Sequence, residues 1–159
     1  FAPGEINIES LLNEEISTVR DRHDGVTFKT SIDPDVSVLA PDSVSIAIQE
    51  LLENAATHAP GGPSAVLVTT ETGTRVRPPE ETEKAVVTIH VEDRNPPISD
   101  IELTRLLGRQ ESQIQHGTGL GLWLVHWIVT MSGGVISHED IDPTGNRISI
   151  TLLEAPGEN

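Results

Sequence analysis

The stretch HGTGLGLWLVHWIVTMSGG, residues 116–134, sets Gly117, Gly119 and Gly121 directly ahead of a strongly apolar run. Glycine is the most costly residue to order, so alternate glycines at the mouth of a helix need a reason. They make a tight turn that lets helix and sheet pack closely, or they bring backbone N–H groups up to a ligand. A glycine-rich turn entering a helix offers unpaired N–H groups and the positive end of the helix dipole, a ready anion site. Two common versions of such a site are excluded by letter. The pattern G-x-G-x-x-G fails at Leu122, and no Lys-Ser or Lys-Thr follows as in a P-loop. On these residues alone, phosphate binding and close packing both stay open.

The surroundings of the stretch define a fold. Ile8, Leu11, Leu12, Ile16 and Val19 recur at helical spacing, predicting an amphipathic helix that ends near His23. GVTFKTSI and VSVLA read as short strands. Pro41 and Asp42 suit a helix start, and Val44, Ile48, Leu51, Leu52 and Ala55 give that helix one apolar face to about His58. HAPGGPS stops it. AVLVTTE and KAVVTIHVED are neighbouring strands, with the polar, proline-bearing TGTRVRPPEETE between them read as a solvent loop. Residues 94–118 show no sustained period and start with two prolines, so they read as a long lid-like connection. Leu120, Leu124, Trp127, Ile128 and Met131 mark a third helix, stopped at Gly133–Gly134. GVISHED and NRISITLLE close the fold as a hairpin around DPTGN. The expectation is an α+β domain over residues 1–159: a two-layer α/β sandwich, a mixed sheet with three helices on one face.

Two further constellations carry chemistry. In QELLENAATHAP, Glu50 and Asn54 lie four apart and share a helix face other than the apolar one. A carboxylate and an amide one turn apart can jointly hold a hydrated Mg²⁺, which prefers oxygen ligands and keeps several waters. A solvated polar face is the plainer reading of the same pair. In VEDRNPPIS, Asp93 falls where a strand gives way to the presumed lid. A buried carboxylate there could accept a hydrogen bond from the amino group of a base, and a simple strand-end turn is the alternative.

The net charge of −15 argues against a nucleic-acid groove, which needs a basic stripe. Lys29 and Lys84 are the only lysines. An acidic, lysine-poor surface fits very high salt, where the Debye length falls to about 3 Å at 1 M. A halophilic source is the first reading of this balance and an ordinary acidic domain the other. The absence of cysteine excludes disulfides and thiolate metal sites and fits a cytoplasmic protein. No apolar run approaches the roughly 20 residues of a membrane span. The abrupt opening FAPGEINIES suggests a piece of a longer protein, with a membrane-anchored parent among the alternatives and the piece itself expected to be monomeric.

Taken in order, the three stretches resemble the ATP-binding catalytic domain of sensor histidine kinases. That domain belongs to the Bergerat-fold superfamily shared with gyrase, MutL and a class of chaperones. ELLENAATH looks like the N box, VEDRNPPI like the first glycine box and HGTGLGLWLV like the second. The LGLWLVHWIVTMSGG continuation and the acidic surface look most like haloarchaeal members. The resemblance implies that Asn54 coordinates Mg²⁺ and that Glu50 arranges metal and γ-phosphate, or acts as general base as in the superfamily's ATPases. It implies that Asp93 recognises the adenine amino group. Gly117, Thr118, Gly119, Leu120 and Gly121 would hold the phosphates, with His58 as a further phosphate contact. ATP, Mg²⁺, a dimerising histidine-acceptor domain and a response-regulator receiver domain are the implied partners.

The chain departs from the family at the first glycine box, which normally reads D-x-G-x-G and here reads D-R-N-P-P. Asn95 can tolerate a left-handed backbone, but Pro97 fixes φ near −65° and lacks an N–H, predicting a stiffer lid hinge. Leu106 and Leu107 stand where many members carry a phenylalanine motif. HEDIDP, His138–Pro143, matches an H-E-x-x-x-P acceptor pattern by letter, but in a strand-and-turn context instead of a helix. The acceptor histidine is therefore expected outside this sequence. A degenerate pseudokinase docking module and a gyrase- or MutL-like ATPase are the rival readings.

Overall fold

The structure is a computed structural model and describes residues 4–57, 64–77, 82–108 and 120–156. Eleven elements follow one another: β1 (Gly4–Asn7), α1 (Ile8–Arg22), β2 (Val26–Ser31), β3 (Ser37–Ala40), α2 (Val44–Thr57), β4 (Ser64–Arg77), β5 (Thr82–Asp93), α3 (Asp100–Leu107), α4 (Leu120–Met131), β6 (Val135–Asp140) and β7 (Asn146–Leu153). Five strands form a mixed sheet in the order β2-β4-β5-β7-β6, with β2 and β4 parallel and the remaining pairs antiparallel. The helices cover one face, giving the expected two-layer α+β sandwich.

The layering follows from strand alternation. Val87, Ile89 and Val91 of β5 point into the helical layer and are buried. Their neighbours Thr88, His90 and Glu92 form polar cross-strand pairs with β7: Thr88 with Thr151 at 3.0 Å, His90 with Ser149 at 2.6 Å, and Glu92 with Arg147. One face thus builds the core and the other meets water. Opposite the sheet, Ile8, Leu12, Ile16, Ile48, Leu51, Leu52, Val125 and Val129 complete the core, each almost wholly removed from solvent. Burying one such aliphatic side chain contributes about 1.5–3 kcal/mol. Asn7 caps α1 by accepting from the Ser10 N–H at 2.9 Å.

Three expectations need correction. First, the segment read as a lid-like connection contains the helix α3, so the described residues form four helices where the sequence predicts three. Ser99 caps it, accepting from the Glu102 N–H at 3.2 Å, and Gly108 ends it in a left-handed conformation. The Ser99-to-Glu102 spacing is a capping box, a signal that eight residues of weak periodicity concealed. Leu106, offered in place of the phenylalanine motif, is buried in the core on this helix. Second, β4 and β5 run on through much of the supposed solvent loop, to Arg77 and from Thr82. Alternate threonines and valines extend the pairing, from Leu67↔Glu92 to Arg77↔Thr82. Third, VSVLA does not join the main sheet. As β3 it pairs antiparallel with the unanticipated strand β1 in a separate two-stranded sheet.

Candidate functional site

The site starts on α2. Its apolar positions Ala47, Ile48, Leu51, Leu52 and Ala55 face the core, which turns Glu50 and Asn54 to its flank, both half-buried. α4 packs beside α2, driven by Leu122, Val125 and Val129. The fit is tight at its first turn. A methyl group on Gly121 would overlap Oε2 of Glu50 and lie 3.0 Å from its Cδ. The third glycine therefore lets the Glu50 carboxylate lie against the start of α4, a position from which a methyl would push its tip aside. The first N–H groups of α4 have no acceptor inside the helix and remain for other partners. Gly117, Thr118, Gly119 and His58 lie outside the described residues, and of Leu120 only the helical backbone is described.

β5 ends at Asp93, 5% exposed, under the same helix layer. A buried carboxylate needs hydrogen bonds to offset lost hydration. Among the described residues, both of its hydrogen bonds fall on Oδ1: from the Asn95 N–H at 3.0 Å and from Asn146 Nδ2 at 3.1 Å. The first is an Asx turn, which re-aims the chain as it leaves the strand. Asn95 also donates through Nδ2 to the Ala55 carbonyl at 2.8 Å, clamping this turn onto α2 one residue from Asn54. Asn95 does not use the left-handed backbone that it can tolerate. Asp35 is the only non-glycine among the described residues with positive φ, so Asn95 replaces the family glycine through its side chain and not through backbone freedom.

Asn54, Asp93, Asn95, Pro97, Glu102 and Asn146 line one cavity of about 130 Å³. Small-molecule sites typically run to about 300–1,000 Å³, so this cavity has room for part of a ring-sized ligand and not for a whole nucleotide. A larger depression, about 240 Å³, lies on the open sheet face beside Arg75, Lys84 and Val135 and holds none of the motif residues. Among the described residues no group of three or more His, Asp or Glu could cage a metal ion. Asn54 offers one side-chain oxygen, a donor set that fits Mg²⁺ completed by waters and ligand oxygens.

Asn146 is the site residue that sequence reasoning missed, and Asn95 is read there only through its backbone. Asn146 sits in what reads as a hairpin turn, and only the pairing Asp93↔Asn146 between β5 and β7 brings it to the site. His138 lies on β6, its side chain 7% exposed, with Nε2 3.0 Å from Asn146 Oδ1. It is tied into the sheet and not displayed on a helix. Glu53, next to Asn54, faces elsewhere: it binds His23 Nε2 at 2.6 Å and Arg22 Nη1 at 2.9 Å, tying the end of α1 to α2. Burial pushes the Glu53 carboxyl up, but hydrogen bonds from His23 and Arg22 outweigh this and hold it below 4.5.

Fold and site together set a buried carboxylate and a half-buried amide on one cavity, with the start of α4 against Glu50. The sequence profile of the "Histidine kinase-, DNA gyrase B-, and HSP90-like ATPase" family matches residues 40–156, and the chain belongs to that family. Among solved structures it is similar to the mycobacterial sensor histidine kinase MprB, 23% identical with a TM-score of 0.76, over 98% of this chain and 99% of that one. It is also similar to the catalytic domain of histidine kinase ThkA, 20% identical with a TM-score of 0.74, over 96% of each chain. The cytoplasmic segment of histidine kinase QseC matches at 18% identity and a TM-score of 0.66, over 96% of this chain and 79% of that one. No curated protein matches significantly. Among the described residues no helix is long and apolar enough to cross a membrane.

Proposed function

We propose that this chain is the ATP- and Mg²⁺-binding catalytic unit of a sensor histidine kinase working on the cytoplasmic side. In this reading it passes the γ-phosphoryl group of ATP to a histidine on a separate dimerising helical domain, from which a response-regulator aspartate receives it. One observation carries the reading: a single cavity holds the buried Asp93 and the half-buried Asn54, with the start of α4 against Glu50 beside it.

Each residue then has a physical task. Asp93 accepts a hydrogen bond from the adenine amino group. The Asn54 amide oxygen is the protein's ligand to Mg²⁺, which when bound neutralises phosphate charge. The backbone of Gly117–Gly121 grips phosphate oxygens, and His58 adds a contact at the same end. Glu50 sits at the junction of α2 and α4, where its carboxylate orders the water and metal shell around the γ-phosphate. Phosphoryl transfer needs positioning and charge neutralisation more than covalent help, so these elements suffice. The contact of Glu50 with the first turn of α4 also suits a second reading, in which Glu50 is general base to water in an ATPase.

Titration with a fluorescent ATP analogue in high-salt buffer tests the proposal. Saturable binding that depends on Mg²⁺ is expected, and Asn54→Ala should weaken the Mg²⁺-dependent part by at least about tenfold. Phosphate should pass to a supplied acceptor-histidine domain. No binding at millimolar nucleotide would favour a docking module, and steady phosphate release without an acceptor would favour the ATPase.

A further inference from the structure

We infer that Asn146 is the positioning residue of the base pocket: it fixes the rotation of the Asp93 carboxylate and so makes the site select a base carrying an exocyclic amino group. The inference rests on reading Asp93 as the group that meets the base.

Asn146 is 1% exposed, and its amide can form four hydrogen bonds, two given by Nδ2 and two taken by Oδ1. All four are made. Nδ2 donates to Asp93 Oδ1 at 3.1 Å and to the Pro96 carbonyl at 3.0 Å. Oδ1 accepts from the Ile98 N–H at 3.2 Å and faces His138 Nε2 at 3.0 Å. The Ile98 N–H can only donate and the Pro96 carbonyl can only accept, so the amide has one allowed orientation. In this pair His138 is then the donor, through Nε2–H, and Asn146 Oδ1 the acceptor.

A saturated amide has nothing left to offer a ligand. Its effect on a base must pass through Asp93. Together with the Asn95 N–H it pins Oδ1, which leaves Oδ2 as the oxygen that can accept from a base. The backbone supports the same geometry. A Cβ on Gly145 would run into the Asp93 carbonyl, and Thr144 Oγ1 donates to the Asn95 carbonyl at 3.1 Å. The 141–146 turn is thus wrapped against the end of β5. With the Asn146 amide saturated, what this end of the cavity offers the base is the Asp93 acceptor, which favours an amino purine over a 6-oxo purine.

The test compares Mg²⁺-ATP with Mg²⁺-purine riboside triphosphate, which lacks the 6-amino group, on the same protein sample. Their affinity ratio does not depend on how much of the sample is folded. The native chain should prefer ATP by at least about tenfold, the range of a hydrogen bond to a charged group. Asn146→Leu should bring the ratio to within about threefold of unity while triphosphate binding persists. Asn146→Ser, whose hydroxyl can still donate to Asp93, should fall between the two and guards against a leucine variant that does not fold. If both variants keep the native ratio and lose affinity equally for the two nucleotides, Asn146 is merely structural and the inference is overturned. A native chain that binds both nucleotides equally also overturns it, through Asp93. A native chain that binds neither overturns the kinase reading itself, a different and recognisable result.

Discussion

The two ends of the nucleotide site are built on different physics. At the proposed base end Asp93, Asn95 and Asn146 are at most 5% exposed and joined by hydrogen bonds, so the Asp93 carboxylate is held before any ligand arrives. At the metal end Glu50 and Asn54 are half-buried, and what is specified is shape: a glycine where a methyl would strike Glu50. A rigid base does not change in the reaction, and a buried polar network suits it because it costs no reorganisation on binding. A metal and phosphates exchange waters and move charge, and partly hydrated side chains leave room for that.

The largest expected effect, and the surest way to break this contrast, is Asp93→Asn. The new amide can still accept from Asn95 and Asn146 through its oxygen, but its NH₂ then meets the amino group of the base donor to donor. ATP affinity should fall about 100-fold, with the circular dichroism spectrum unchanged. A loss no larger than that of Asn54→Ala would erase the difference between the two ends. Gly121→Ala sharpens the other side. Alanine favours a helix over glycine by about 0.5–1 kcal/mol, and the tip of Glu50 can swing aside, so the melting temperature should barely move. The displaced carboxylate should lower phosphoryl transfer about tenfold, since small misplacements near reacting groups are costly. Unchanged transfer would show that the Glu50 carboxylate is idle.

The smallest effect is on stability alone. Because the folded-state pKa of Glu53 lies below 4.5, its charged form stabilises the protein above about pH 4.5, and this is lost as pH falls through the folded value. The gap in melting temperature between the native chain and Glu53→Gln should be widest near neutral pH and close on acidification. Nucleotide affinity should be the same in both. An affinity change would mean that the α1–α2 tie reaches Asn54.

Much of this site is legible in the linear sequence because its motifs are local. Glu50 and Asn54 are one turn apart, so helix periodicity alone puts them on one flank of α2. The alternation of KAVVTIHVED ends on an inward-facing Asp93, and the burial follows. What stays hidden depends on pairing. Asn146 reads as a turn residue until β7 aligns beside β5, and the bond from Asn95 to the Ala55 carbonyl joins residues 40 positions apart. The departure at the first glycine box misleads for a related reason. Backbone propensity describes what Asn95 could adopt, whereas a buried carbonyl on another helix decides what its side chain does. The α3 helix was concealed by its shortness, since eight residues hold too few turns for a period to register.

The place of Asn146 in chain order has a consequence for biogenesis. It opens β7, the last strand of the described sheet, so a chain emerging from the ribosome carries Glu50, Asn54 and Asp93 well before the proposed base pocket can form. Nucleotide capture would then report a completed sheet: only a chain whose β7 has docked beside β5 can be stabilised by ligand, and truncations short of residue 146 should gain no thermal protection from ATP.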